Sequence, residues 1–200
     1  MGAHTCAFKY MTRKYTLKRR AEQQAETRRR IVEAAIDLHG SVGPAATTFS
    51  LVAERAGVQR HTLYAHFPDE RSLLQACSST HIETHPLPSP EPWRVVADPG
   101  ERMRIALLAL YEWYGRNESV VASVLRDAEH HPPTREAVET SIGPYFATCQ
   151  GVLGEGLGGS QRAMLRVALS FFTWRTLVRE AGLQPVEAVN TMVRAVQGVG

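Results

Sequence analysis

A chain of 200 residues with a net charge of +3, 44% of it hydrophobic and 22% charged, is long enough for one large domain or two small ones with a substantial core. It contains no run of about 18 apolar residues, and no apolar segment follows its basic N-terminus, so we expect neither a membrane span nor a secretory signal peptide. The three cysteines lie far apart and form no CxxC pair, which argues against disulfides and structural zinc and favours the cytoplasm.

The charge is unevenly distributed along the chain. Residues 1–30 hold nine Lys and Arg against two Glu, whereas residues 85–200 hold eleven Arg against twelve acidic residues. A basic segment ahead of a near-neutral remainder is typical of a protein that binds a polyanion. A solvated, disordered tail has the same composition, so this feature alone does not decide between the two.

The spacing of apolar residues predicts helices nearly throughout and few or no strands. Residues 1–18 are predicted to be a flexible basic arm, followed by a first helix over residues 19–42. Gly43 and Pro44 end that helix, and Thr47 or Thr48 then caps the second.

A third helix is predicted over residues 59–66, and Pro68-Asp69 opens a fourth. The proline-rich segment 85–93 excludes helix and predicts an extended, solvated connector. We therefore predict an all-α fold, with an N-terminal domain at residues 19–85 whose fourth helix bridges to a C-terminal helical domain at residues 86–200.

In the C-terminal domain, the breakers divide the chain into five predicted helices, at residues 99–116, 118–130, 134–153, 161–181 and 185–197. The last two have wide apolar faces, which fit either an intramolecular core or a four-helix bundle with a second copy of the chain. The residues predicted for such a dimer interface are Leu165, Leu169, Phe172, Val186, Val189, Val193 and Val196.

The second and third helices are joined by a turn that holds Gly57, at the length of a helix-turn-helix. Val58, Leu63 and Phe67 are expected to face inward. The remaining, outward side chains are Gln59, Arg60, His61, Thr62, Tyr64 and His66. Arg pairs with guanine and Gln with adenine in the major groove, whereas hydroxyls and ring N–H groups suit phosphate oxygens.

At these residues the sequence resembles the tetracycline-repressor (TetR) family of bacterial regulators. The resemblance covers TTFSLVAERAGVQRHTLYAHFPDERSLL (residues 47–74) and RRRIVEAAIDLHGSVG (residues 28–43), and FFTWRTLVREAGL (residues 171–183) resembles the penultimate helix of the family. The resemblance implies a helix-turn-helix DNA-binding domain and a C-terminal domain for dimerisation and effector binding. It implies a homodimeric regulator, most often a repressor, that binds a near-palindromic operator and responds to a small molecule.

The resemblance also implies roles for individual residues. Thr47 and Thr48 would lie beside phosphate, Gln59, Arg60 and His61 would contact bases, and Thr62, Tyr64 and His66 would contact the phosphate backbone or support the helix. Two positions depart from the family pattern, because Gln59 is a poorer cap than Ser and Glu70 stands where a Lys is common. Arg71 is the candidate replacement for that Lys.

In a TetR-like C-terminal domain, several aromatic residues would line an effector cavity. The predicted effector residues are Trp113, Tyr114, Phe146 and Trp174, with Arg104 and Arg175 as anchors for a polar effector. Core packing of the aromatic residues and helix-surface ion pairs of the arginines are the alternatives.

Other site chemistries find less support. His81 with His85, and Asp127 with His131, are four apart and could chelate a metal, but solvent-facing residues at helix ends give the same spacing. The stretch GEGLGG (residues 154–159) follows a predicted helix rather than a strand, which argues against a dinucleotide site. We expect no cofactor and no catalytic site. The alternatives are a TetR-like regulator controlled by a protein partner, or acting as an activator, and an enzyme with an accessory helix-turn-helix.

Overall fold

The computed structural model describes the backbone of residues 4–199 and the side chains of residues 18–199. Within these residues there is no strand, which confirms the all-α prediction. The helices are α1 (His4–Ser41), α2 (Phe49–Ala56), α3 (Arg60–His66), α4 (Glu70–Thr84), α5 (Pro99–Ala128), α6 (Pro132–Leu153), α7 (Gly159–Ala168), α8 (Phe171–Trp174) and α9 (Pro185–Gly198). None of the described helices is long and apolar enough to cross a membrane.

Helix α1 begins well before the predicted start near Arg19. Residues 4–39 contain no Gly and no Pro, so nothing in this stretch interrupts helical hydrogen bonding. The prediction of an arm at residues 4–18 ahead of the helix is therefore wrong, and residues 1–3 of that arm lie outside the described residues.

An N-terminal core joins α1, α2, α3 and α4. It contains Ile31, Val52, Leu63 and Phe67, each no more than 1% exposed. Gly57 ends α2 in the left-handed conformation (φ 64°, ψ 40°), which only glycine adopts without steric cost. This turn fixes α3 against α1 and α2.

The C-terminal core is built around α5. Leu107 and Leu110 are fully buried there and pack with residues from α6 to α9. The predicted break at Asn117 is a kink inside α5 (φ −116°, ψ 16°), where the Asn117 side chain donates to the carbonyl of Trp113. The predicted helix over residues 161–181 is instead divided at Ser170, whose hydroxyl accepts from the amide of Phe172 and caps α8.

The predicted dimer interface needs correction for the same reason. Leu165, Leu169, Val189 and Val196 are at most 3% exposed in a single chain, because α9 packs on α5 and α7 packs on α9 and α6. Val193 is half-buried, whereas Phe172 and Val186 are 39% and 50% exposed. Only the exposed members remain available to a second copy.

The proline-rich segment is not the solvated connector predicted from its composition. Trp93 is 4% exposed and belongs to the C-terminal core. Leu87 is partly buried and packs against the same core. The Trp113 ring nitrogen donates to the carbonyl of His85 (2.9 Å), and the Tyr145 hydroxyl donates to that of Pro88 (2.9 Å). The segment is therefore anchored along the C-terminal core.

A loop between α1 and α2 lies against the end of α5. The carboxylate of Asp127 accepts hydrogen bonds from the amide of Ala45 (2.9 Å) and from Arg126 Nε (2.8 Å), and Asp127 is only 3% exposed. Gly43 adopts φ 94° here, and a side chain at this position would collide with Arg126 and Asp127. The contact joins the N-terminal helices to the C-terminal domain.

Gly57→Ala is expected to lower the free energy of unfolding by about 1 kcal/mol, because alanine resists positive φ. The space around Gly57 is empty within 4 Å, so the cost is conformational rather than steric. The matched control is Gly151→Ala, inside α6 with equally empty surroundings, which should stabilise by up to about 1 kcal/mol. Denaturant unfolding measures both, and equal effects of the two variants would contradict the assignment of the turn.

A second prediction concerns His39, which is 5% exposed beside Asp127. Burial lowers the pKa of His39 to about 4, although the charge of Asp127 acts in the opposite direction. Below the ordinary pKa of 6.5 the unfolded chain binds the proton and the folded chain does not, so stability should fall as pH drops from 6.5 to about 4. At roughly 1.4 kcal/mol per pKa unit, the loss attributable to His39 is at most about 3 kcal/mol.

His39→Gln should flatten the pH dependence of the unfolding free energy across that range. His130→Gln, which replaces an exposed histidine, is the control for the loss of a histidine in general. Parallel pH profiles for wild type and His39→Gln would show that His39 does not carry the effect.

Candidate nucleic-acid interface

Helix α3 presents a polar face that has no hydrogen-bond or ion-pair partner among the described side chains. Arg60, His61 and Tyr64 are exposed, as is Gln59, which caps the helix without a side-chain hydrogen bond. Thr62 and His66 are half-buried at the edges of this face. None of the six side chains forms a hydrogen bond or ion pair with another described residue. These groups are therefore available to an external partner.

The packing beneath α3 explains how this face is held. Leu63 is fully buried in the N-terminal core, and Phe67 at the end of the helix is 1% exposed. The guanidinium of Arg28 lies 4.5 Å from the centre of the Phe67 ring, a cation–π contact between α1 and α3 that no sequence pattern indicates. The Tyr64 ring packs 5.1 Å from that of Phe49 on α2, yet Tyr64 remains 47% exposed.

The two threonines before α2 differ in availability. Thr48 is exposed, and its hydroxyl accepts from the amide of Leu51 (3.3 Å), which confirms it as the cap. Thr47 is 8% exposed, and its hydroxyl donates to the carbonyl of Gly43 (2.7 Å). Thr47 therefore supports the loop, and since it also lines the groove beside Thr48 and Tyr64, its place in the DNA-binding set stays a prediction.

Arg71 is engaged elsewhere in the chain. Its guanidinium lies 2.9 Å from the carboxylate of Glu136 on α6, and the neighbouring Glu70 lies 3.6 Å from the ring of His131. The Arg71–Glu136 pair is exposed, and such pairs contribute only about 0–1 kcal/mol, whereas Glu70 and His131 are half-buried. A phosphate can therefore replace Glu136 as the partner of Arg71 at little cost.

A cavity of about 300 Å³ opens between α5, α6 and α8, and we call it the aromatic cavity. Trp113, Tyr114 and Phe146 line it, as predicted for effector residues. The other three predicted residues do not. Trp174 is 1% exposed within the core, Arg104 binds Glu101 (2.6 and 2.8 Å), and Arg175 binds Glu180 (3.3 Å).

A second cavity, of about 90 Å³, lies between α1, α4, α5 and α6, and we call it the interdomain cavity. No spacing along the sequence predicts this cavity, because four separate helices form its walls. His81 from α4 and Ser141 from α6 line it, and the His81 Nε2 and Ser141 Oγ atoms are buried without a hydrogen-bond partner. Burial, together with the neighbouring His85, lowers the pKa of His81, so its ring is neutral at pH 7.

Neither candidate metal pair has a third metal-ligating side chain beside it among the described residues. The rings of His81 and His85 stack at 4.7 Å, His131 hydrogen-bonds Thr134 (2.8 Å), and Asp127 is occupied by Ala45 and Arg126. The described residues contain no group of three or more His, Cys, Asp or Glu arranged to hold a metal ion. Residues 154–158 form a loop after helix α6, and Gly159 begins α7.

Comparison with known proteins bears on this geometry. A family model described as "Bacterial regulatory proteins, tetR family" matches residues 31–77, the segment that contains α2 and α3. The HTH-type transcriptional regulator TtgR of Pseudomonas putida is 41% identical over 69 residues, which are 34% of this chain and 33% of that regulator. The chain thus matches about a third of the length of the first curated relatives.

Similarity also extends beyond the N-terminal domain. The HTH-type transcriptional regulator SrpR of Pseudomonas putida is 28% identical, with 80% of this chain and 89% of that regulator covered. The structure of the transcriptional regulator FadR from Bacillus subtilis in complex with stearoyl-CoA superposes with a TM-score of 0.60 at 17% identity, over 84% of this chain and 96% of that one. This structural likeness shows the fold alone.

The helix-turn-helix geometry, the matched family segment and the shared all-helical fold agree with one another. Residues 31–77 are therefore similar to the tetR family of bacterial regulatory proteins, and the chain has the all-helical fold of the FadR structure.

Proposed function

We propose that this protein is a transcriptional repressor that binds a near-palindromic DNA operator as a homodimer and releases it when a small molecule binds. The observation that carries the DNA-binding part is the polar face of α3, which is exposed and without hydrogen-bond or ion-pair partners among the described side chains while Leu63 and Phe67 hold the helix from beneath. A recognition helix needs this combination of rigid support and unpaired polar groups.

Within that face, position along the helix divides the roles. Gln59, Arg60 and His61 lie at the N-terminal end, where recognition helices meet base edges. Tyr64 lies one turn further along and, with Thr48, borders a surface groove. Hydroxyls in such a groove suit phosphate oxygens, which fix the register of the protein on the duplex.

The geometry of DNA supports the proposal of a homodimer. Successive major grooves on one face of the DNA duplex are roughly 34–36 Å apart, so two copies of α3 must have this separation to enter both. A dimer with two-fold symmetry then fits the two half-sites of a near-palindromic operator. The apolar side chains still exposed on α7, α8 and α9 are Val167, Phe172 and Val186. We assign the dimer contact to this exposed set in place of the buried residues.

Ligand response is supported by the placement of the cavities. Both lie within or against the C-terminal domain, and α4 carries residues that line the interdomain cavity and residues of the N-terminal core. A ligand shifts the DNA-binding equilibrium only through a difference in affinity between the two states. Selection of genomic fragments by the purified protein provides the operator for the tests below, and failure to enrich any fragment would contradict the proposal.

Arg60→Ala is expected to weaken binding to a selected operator by about 1–3 kcal/mol and to relax preference at the base it contacts. Arg116→Ala, which removes an exposed arginine on α5, is the matched control and should bind like wild type. Gel-shift titration of both variants measures the difference, and equal affinities would remove Arg60 from the interface.

Replacing the five cations Arg13, Lys14, Lys18, Arg19 and Arg20 with Gln should act differently. The loss of cations should weaken binding to all DNA sequences equally and flatten the salt dependence, because each phosphate contact releases counterions. Titrations at two salt concentrations, with operator and scrambled DNA, separate this effect from that of Arg60. An unchanged salt slope would exclude the basic segment from DNA.

Phe172→Glu and Val186→Glu are expected to convert dimer to monomer and to weaken operator binding, because each places a charge in an apolar contact. Val95→Glu, at a position that is 85% exposed before α5, is the control. Sedimentation velocity gives the oligomeric state. A wild-type monomer, or a dimer that both variants leave intact, would contradict the assigned contact.

A further inference from the structure

The lining of the interdomain cavity restricts the chemistry of any molecule that enters it. Among the eighteen described residues that form its walls, none is Asp, Glu, Lys or Arg. Most are aliphatic, including Ile36, Leu74 and Val124. A charged ligand would lose its hydration here and find no counter-charge, so the cavity disfavours ions.

The same walls carry two polar atoms that lack partners. His81 Nε2 and Ser141 Oγ are buried and form no hydrogen bond in the structure. A buried polar atom left unpaired costs about 1–3 kcal/mol, which a bound hydroxyl or carbonyl would recover. The two atoms come from α4 and α6, so each offers a bonding point on a different wall of the cavity.

The size of the cavity limits the ligand further. Its volume of about 90 Å³ is smaller than the apolar cavity of about 150 Å³ that is known to accept benzene. Entry of one ring therefore requires a small outward movement of the walls. Those walls include Ile36 of α1 and Leu74 of α4 on one side and Val124 and Ser141 on the other, so the movement separates the N-terminal helices from α5 and α6.

We propose that the interdomain cavity binds an uncharged, mainly apolar molecule of about one ring, held by a hydrogen bond from its single polar group to His81 or Ser141. Binding of a ligand in the interdomain cavity can be measured without DNA. The inference rests on the proposed function only for the effect of that ligand on DNA binding. The ligand acts as a wedge between the N-terminal helices and the C-terminal domain.

Three probes of similar shape test the chemistry, namely phenol, toluene and benzoate. Phenol and toluene differ by one hydroxyl in place of a methyl group, and benzoate adds a negative charge. Ligand-observed NMR titration of the full chain should show phenol binding about three- to tenfold more tightly than toluene, the usual worth of one hydrogen bond. Benzoate should bind more weakly than either.

Variants assign the preference to the two polar atoms. His81→Phe keeps an aromatic ring beside Trp113 and His85, and Ser141→Ala removes only a hydroxyl. At least one of them should reduce the preference for phenol over toluene to near unity while toluene still binds. Val124→Phe should fill the cavity and abolish binding of both probes, whereas Val95→Phe, at an exposed position, should leave binding unchanged.

The inference is overturned if benzoate binds as tightly as phenol, if none of the probes binds, or if both polar-atom variants retain the full preference for phenol. Retained toluene binding shows that a variant is folded. Phenol binding that leaves operator affinity unchanged would support the site and contradict the ligand-responsive part of the proposed function. If the wild-type protein binds no operator, the proposed function is contradicted, but the conclusions from the probe titrations still hold.

Discussion

Helix α4 packs on two surfaces at once, and the relation between DNA binding and the cavities depends on this constraint. Leu73 and Cys77 belong to the N-terminal core with α1 to α3, whereas Leu74 lines the interdomain cavity against α5 and α6. A helix is stiff and protein interiors are close-packed, so α4 cannot follow a movement on one side without disturbing the other. The proposed ligand response requires that a change in volume of the interdomain cavity alter the orientation of α3.

The contacts between the N-terminal helices and the C-terminal domain differ in strength. This difference favours two defined orientations of the N-terminal helices over a loose hinge. The hydrogen bond from Ala45 to the buried carboxylate of Asp127 is partly buried, and Gly43 leaves no room for a side chain beside it. The Arg71–Glu136 pair near the start of α4 is exposed and weak. In the proposed ligand response, the loop before α2 is the fixed point and the start of α4 is the end that moves. The same proposal has Arg71 exchange Glu136 for an operator phosphate.

Local sequence patterns predicted what depends on local physics. Gly57, the Thr48 cap and the outward face of α3 followed from turn chemistry and helical spacing, and the structure has the turn, the cap and the face as expected. Features that depend on tertiary packing could not be predicted in this way. Leu165 and Val196 lie on apolar faces that suit a dimer or a core equally well, and only the packing of α9 on α5 and of α7 on α9 and α6 shows that they are buried. The interdomain cavity joins side chains from Ile36 to Ile142, a set that no spacing along the chain brings together.

The proposed DNA binding requires two copies of α3 that present Gln59, Arg60 and His61 to successive major grooves. Hydroxyl-radical footprinting of the wild-type protein on a selected operator tests this most directly. Two copies of α3 in successive major grooves should give two protected patches on one face of the duplex, with centres roughly 34–36 Å apart. A single protected patch, or uniform weak protection along the fragment, would contradict it.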